Sequence, residues 1–218
     1  MAQVVPVRLD TEKSGKRLAA EYGVQSLPTV LFLDADGVVM HQLVGYYAPK
    51  DFASEMSTAA RRHKDWASVK QILKQNPADG KANALYALTM ARNSRLREAE
   101  KAIRLAQRAG YTENTLAKAC NELGDLYFAR RETAEHEHDG HNHAAGSATA
   151  LDDAIAFFKL GEKYASEVDD RAYAKYSLMA SYFHQKRMDT ARRYAKEIVA
   201  LKGVNERIIA DAKSILKR

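Results

Sequence analysis

The sequence predicts two architectures in one chain: an α/β lobe with an incomplete sheet, then an all-α array of helical hairpins. Three observations predict them. Three strand-like segments, a Pro-Thr step and an Asp-Gly turn crowd into the first sixty residues. From about Asp51 onward the apolar pattern is helical throughout. Small residues then recur at matched spacings along that helical remainder. The expected division is residues 1–62 for the first lobe and 63–218 for the second.

Val4 to Leu9 alternates, is β-branched and stops at Asp10, so it reads as a strand. Ser14 to Tyr22 reads as a short helix, capped by Ser14 and ended by Gly23, with Leu18, Ala19 and Tyr22 on one face. Val30-Leu31-Phe32-Leu33 is a continuous apolar run, the pattern of a strand covered on both faces. Asp34-Ala35-Asp36-Gly37 reads as a hairpin turn, with Val38 to Val44 as the return strand. Pro49 and Asp51 open a helix carrying Phe52 and Met56.

This order of elements resembles the C-terminal half of thioredoxin. The residues that carry the likeness are Val7-Arg8-Leu9-Asp10, Ala20-Glu21-Tyr22-Gly23-Val24, Leu27-Pro28-Thr29, Asp36-Gly37 and Val44-Gly45. The resemblance implies a cis Pro28 and a substrate-binding edge at Leu27, Pro28 and Thr29, with Leu27 offering its backbone to an extended substrate. It also exposes a conflict. Cys120 is the only cysteine, so no Cys-x-x-Cys exists, and no other residue replaces thiolate exchange chemistry. Two origins fit: an N-terminal portion missing through a late start or fragmentary gene model, or a cysteine-free binding-only descendant. The resemblance therefore implies protein clients without redox turnover, and no catalytic residue is assigned.

In the helical remainder, breaks fall near Pro77–Gly80, Gly110, Asp169 and Gly203. Helices at Asp51–Arg62 and Asp65–Gln75 are expected as a leading pair, with Trp66 at the junction of the lobes. In three further pairs Tyr86, Ala87 and Met90 precede Ala99, Ile103 and Ala106; Leu123, Gly124 and Tyr127 precede Ala154, Phe158 and Gly161; Leu178, Met179 and Tyr182 precede Ala191, Ala195 and Ile198. Ala99, Ala154 and Ala191 lie 55 and 37 apart, and removing an insertion of 18 from the first interval leaves the second. One period and one insertion thus account for all three pairs. The array resembles tetratricopeptide repeats, through Leu123-Gly124-Asp125-Leu126-Tyr127 and the Ala-rich second helices, and Asn76-Pro77 fits the proline that closes such a unit. That likeness implies a groove for peptides. Val204 to Arg218 reads as a terminal capping helix.

The insertion, 132–149, holds His136, His138, His141 and His143 among carboxylates: four of the seven histidines within eight residues. This donor set suits Zn²⁺, Ni²⁺ or Cu²⁺. The i,i+2 spacings and Gly140 specify no rigid site, so weak adventitious binding, a solvated loop and a metal-handling role all stay open. No resident cofactor is otherwise indicated. Net charge is +6, yet Lys and Arg alternate with Asp and Glu without a dense block, which argues against nucleic acid. No apolar run reaches the ~18 residues of a membrane span and no signal-peptide pattern opens the chain, so the expected location is cytoplasmic, or periplasmic if the N-terminus is truncated. Cys120 reads as a buried structural thiol, and His41 and His184 as structural or exposed. A non-catalytic protein-interaction adaptor is the competing functional class.

Overall fold

The computed structural model describes residues 4–136 and 143–218, without the side chains of 131–136 and 143–148. The chain divides into two compact units, Met1–Ser68 and Val69–Arg218.

In the first unit, residues 4–10 form neither strand nor helix. The alternation is real; the ladder is not. A strand exists through its hydrogen bonds to a neighbour, and the two-stranded sheet contains only β1 (Thr29–Leu33) and β2 (Val39–Val44). Val4, Val7 and Leu9 are accordingly exposed, and Val5 is 82% exposed. The helix expected from Ser14 is shorter: α1 is Lys16–Glu21, its N-cap is Gly15, and no side chain caps it. Residues 11–15 form turns instead, with Gly15 N–H donating to Asp10 O at 2.8 Å. Gly23, at φ 63°, follows the helix as expected.

β1 and β2 are antiparallel, pairing Thr29 with Val44 and Phe32 with His41, with an irregularity between Phe32 and Leu33. One sheet face packs on α2 (Pro49–Gln75), where Phe32 meets Phe52 at 6.4 Å between ring centres. On the other face Leu33 and Val44 are 42% and 51% exposed. The expected two-sided cover of Val30–Leu33 is therefore not realised. The β1–β2 turn is organised by Asp34, a buried carboxylate. Its Oδ1 accepts from Asp36 N–H at 2.8 Å and Val38 N–H at 2.9 Å, and its Oδ2 accepts from Trp66 Nε1–H at 2.7 Å. Trp66 thus packs inside the first unit. Gly37 supplies the positive φ, 74°, that this turn requires.

α2 corrects a second expectation. Its 27 residues run unbroken where two helices were read. Residues 62–65 contain neither glycine nor proline, so nothing interrupts the i→i−4 ladder.

In the second unit α3 (Gly80–Arg92) packs on α4 (Leu96–Arg108), α5 (Asn114–His136) on α6 (His143–Tyr164), and α7 (Val168–His184) on α8 (Met188–Ala200). The pairs stack in order: α5 lies against α3 and α4, and α7 against α5 and α6. α9 (Glu206–Leu216) closes the end against α7 and α8, burying Ala212 and Ile215. α5 and α6 extend helically into the expected 132–149 insertion. The anchors Ala87, Met90, Ala99, Ile103, Leu123, Ala154, Phe158, Leu178, Ala191 and Ile198 are all buried. An alanine or glycine on one helix lets its partner approach closely, and the larger anchors fill the space between.

Two of the hairpin turns have the same backbone. After α3, Ser94 has φ 57°, and after α7, Lys186 has φ 58°. Arg95 N–H bonds Met90 O and Arg187 N–H bonds Tyr182 O, both at 2.9 Å. Each is a helix-terminating turn with a non-glycine in the left-handed position. That position costs an L-residue about 1–2 kcal/mol, less the ~0.5–1 kcal/mol by which glycine loosens the unfolded chain. Ser94→Gly and Lys186→Gly are both exposed substitutions. Each should raise stability by about 0.5–1 kcal/mol, read as a higher urea midpoint with unchanged slope.

Candidate functional site

The first candidate is the turn that leads from α1 into β1. Val24 N–H bonds back to Ala19 O at 2.8 Å, fixing the exit of the helix. Thr29 Oγ1–H donates to Ser26 O at 2.6 Å and Pro28 O accepts from Gly45 N–H at 2.8 Å. The Leu27–Pro28 peptide bond is cis. Leu27 is 67% exposed, and among the described residues neither its N–H nor its C=O has a hydrogen-bond partner. Val44, paired with Thr29, and Tyr46 two residues on are also exposed. The segment is a pinned turn with a free backbone edge and apolar side chains around it. The turn exposes one backbone donor and one acceptor, as the edge of a strand does.

The first unit, residues 1–68, contains no cysteine. Cys120 belongs to α5 in the other unit and is fully buried. Burial pushes its thiol up to about 12, so it carries no thiolate at neutral pH. His41 is structural: its Nε2 bonds Glu55 at 2.5 Å and its Nδ1 accepts from Arg62 at 2.8 Å. Because the guanidinium only donates, the imidazole proton sits on Nε2.

Of the four candidate metal ligands, His138 and His141 lie outside the described residues, as do the side chains of His136 and His143. Among the described residues no group of three or more His, Cys, Asp or Glu is arranged around a common point. Among them, too, no helix is long and apolar enough to cross a membrane.

A second candidate was not anticipated. α3, α5 and α7 enclose a cleft of about 360 Å³ lined by Arg92, Lys118, Asn121, Glu122, Asp125, Asp170 and Tyr173. Arg92 pairs with Glu122 at 2.9 Å, and Lys118 with Asp170 at 3.5 Å and Glu167 at 3.3 Å. Burial alone would lower the Lys118 pKa, but Asp170 and Glu167 outweigh it and hold the ammonium above its ordinary value. Tyr173 O–H donates to Asp125 Oδ2 at 2.7 Å. Burial pushes the Asp125 carboxyl up to about 6; the tyrosine bond opposes that rise and Glu122 adds to it. The Tyr173 hydroxyl is raised in turn, by burial first and then by its bond to Asp125. The signal was present in the sequence. Lys118, Asn121, Glu122 and Asp125 sit at i, i+3, i+4 and i+7, a polar stripe on the same helix as the Leu123–Gly124 anchor.

A family model for a thioredoxin-like domain matches residues 2–60. The chain matches no curated protein and no solved structure.

Proposed function

We propose that this chain binds extended protein segments at Leu27-Pro28-Thr29, and that its helical unit is a tetratricopeptide-like array gathering the same clients. It would be related to thiol–disulfide exchange proteins without performing the exchange. The carrying observation is the Leu27 backbone, exposed and free of partners among the described residues, beside a turn pinned on both sides. The thioredoxin-like match over 2–60 supports the parentage. The shared turn geometry at Ser94 and Lys186 and the buried small-residue anchors support the repeat reading. The single buried thiol supports the lack of turnover, because disulfide exchange needs an accessible thiolate.

The test uses a permanently unfolded probe, reduced and carboxymethylated lactalbumin. Saturating probe should slow exchange of the Leu27 amide hydrogen by about tenfold, as expected of a donor that becomes paired on a strand edge. Leu27→Asp should weaken the probe's binding, and insulin disulfides should be reduced no faster than in buffer. An unchanged Leu27 amide with bound probe refutes the site; measurable insulin turnover refutes the non-catalytic reading.

A further inference from the structure

The charges in the α3–α5–α7 cleft do not cancel. Arg92 is committed to Glu122, and Lys118 to Asp170 and Glu167. Among the described residues Asp125 has only the Tyr173 hydroxyl, on Oδ2. Among the described residues no cation pairs with it, and the one charge that acts on it, Glu122, is negative. A partly buried carboxylate kept beside a second carboxylate, without a cation, is costly unless something else supplies the charge. The cost is visible in the upward shift of its pKa.

The surroundings select among what could supply it. The cleft is open and of about 360 Å³, enough for a guanidinium or ammonium group with its methylene stem. Tyr173 is partly exposed beside Asp125, so its ring offers an apolar and cation-accepting wall for such a stem. An anion would meet Asp125 and Glu122 while both basic side chains are already engaged. We propose that the cleft between α3, α5 and α7 is a subsite for one cationic side chain, an arginine or lysine of an extended protein segment, received by Asp125 against Tyr173. The subsite lies wholly within residues 69–218 and does not depend on the Leu27 site.

A capped nine-residue Gly/Ser/Ala peptide with one central arginine tests it on the full chain, against the same peptide carrying citrulline, which keeps the shape without the charge. The arginine peptide should shift the Asp125 and Tyr173 amide resonances saturably and bind at least about tenfold tighter than the citrulline peptide, the worth of one charge-assisted hydrogen bond. Asp125→Asn should abolish that preference. The wild-type carboxyl titration needs no variant: bound arginine peptide should lower the Asp125 pKa, and citrulline peptide should leave it in place. Equal binding of the two peptides overturns the proposal, as does an unmoved titration or a preference that survives Asp125→Asn. Shifts at these residues with calcium chloride but not with the peptide would overturn it in favour of a metal site. Loss of Leu27 protection with this preference intact would refute the turn site alone.

Discussion

Gly161→Ala is expected to destabilise the helical unit by about 2–3 kcal/mol, although alanine is the better helix former by about 1 kcal/mol. Gly161 is buried on α6, facing Asn121 of α5. A Cβ there would fall inside the van der Waals envelope of Asn121 Oδ1, with Cγ 2.8 Å away. Asn121 is 4% exposed and cannot swing out. Its Oδ1 has no hydrogen-bond partner among the described residues, and its amide donates to Asp170 O at 3.3 Å. Close approach of the two helices at Gly161 thus explains both the glycine and the orphan oxygen. The check is a double-mutant cycle by urea denaturation. In an Asn121→Ala background the three atoms nearest to the added methyl, all of the Asn121 amide, are gone, so Gly161→Ala should become neutral or stabilising. Equal cost in both backgrounds would refute the steric account.

Lys175→Met should cost about 2–3 kcal/mol, less than the ~3–5 kcal/mol for removing one partner of a fully buried ion pair, because both carboxylates keep some solvent. Lys175 is 9% exposed on α7, with Nζ donating to Glu162 at 2.6 Å and to Glu197, and lying 5.7 Å from the Tyr194 ring centre. Its loss leaves two carboxylates from α6 and α8 facing each other without the cation between them. Adding Glu162→Gln should recover part of the stability. The pH dependence has a definite sign. Burial opposes the Lys175 charge, but the two carboxylates outweigh burial and raise its pKa above the usual lysine value. A group raised on folding stabilises fully below its unfolded pKa, about 10.4, and loses that contribution as pH climbs through the folded value. Wild-type stability should therefore fall more steeply than that of Lys175→Met above about pH 10.4. Parallel curves from denaturation at pH 8 to 11 would sink this.

The helical unit was largely legible in the sequence. Its anchors, from Ala87 to Ile198, were found by spacing alone, because close helix packing demands small residues at fixed intervals whatever the surrounding chain does. Gly37 and Gly23 were legible for a similar local reason: each sits at a positive φ that other residues avoid. Val4–Leu9 was not. Its alternation matches a strand, but strand formation depends on a neighbour's backbone, which no local pattern encodes. Continuity of α2 through residues 62–65 was missed for the opposite reason, since a repeat was projected onto a stretch that has no breaker.

The candidate sites divide along the same line. The turn at Leu27-Pro28-Thr29 was readable as a motif. Only the fold decided that the Leu27 backbone is unpaired among the described residues, because that depends on which segments come near it. The cleft around Asp125 was invisible as a site, although its polar stripe lay in plain view on α5. Arg92, Asp170 and Tyr173 come from α3 and α7, and their choice of partners leaves Asp125 without a cation among the described residues. Sequence by itself determined the two architectures, the lone cysteine and the buried faces, since composition and periodicity act over one or two helical turns. Tertiary structure alone decided which strand is paired, which helix continues and which charge is unmatched, since each is settled by groups distant along the chain.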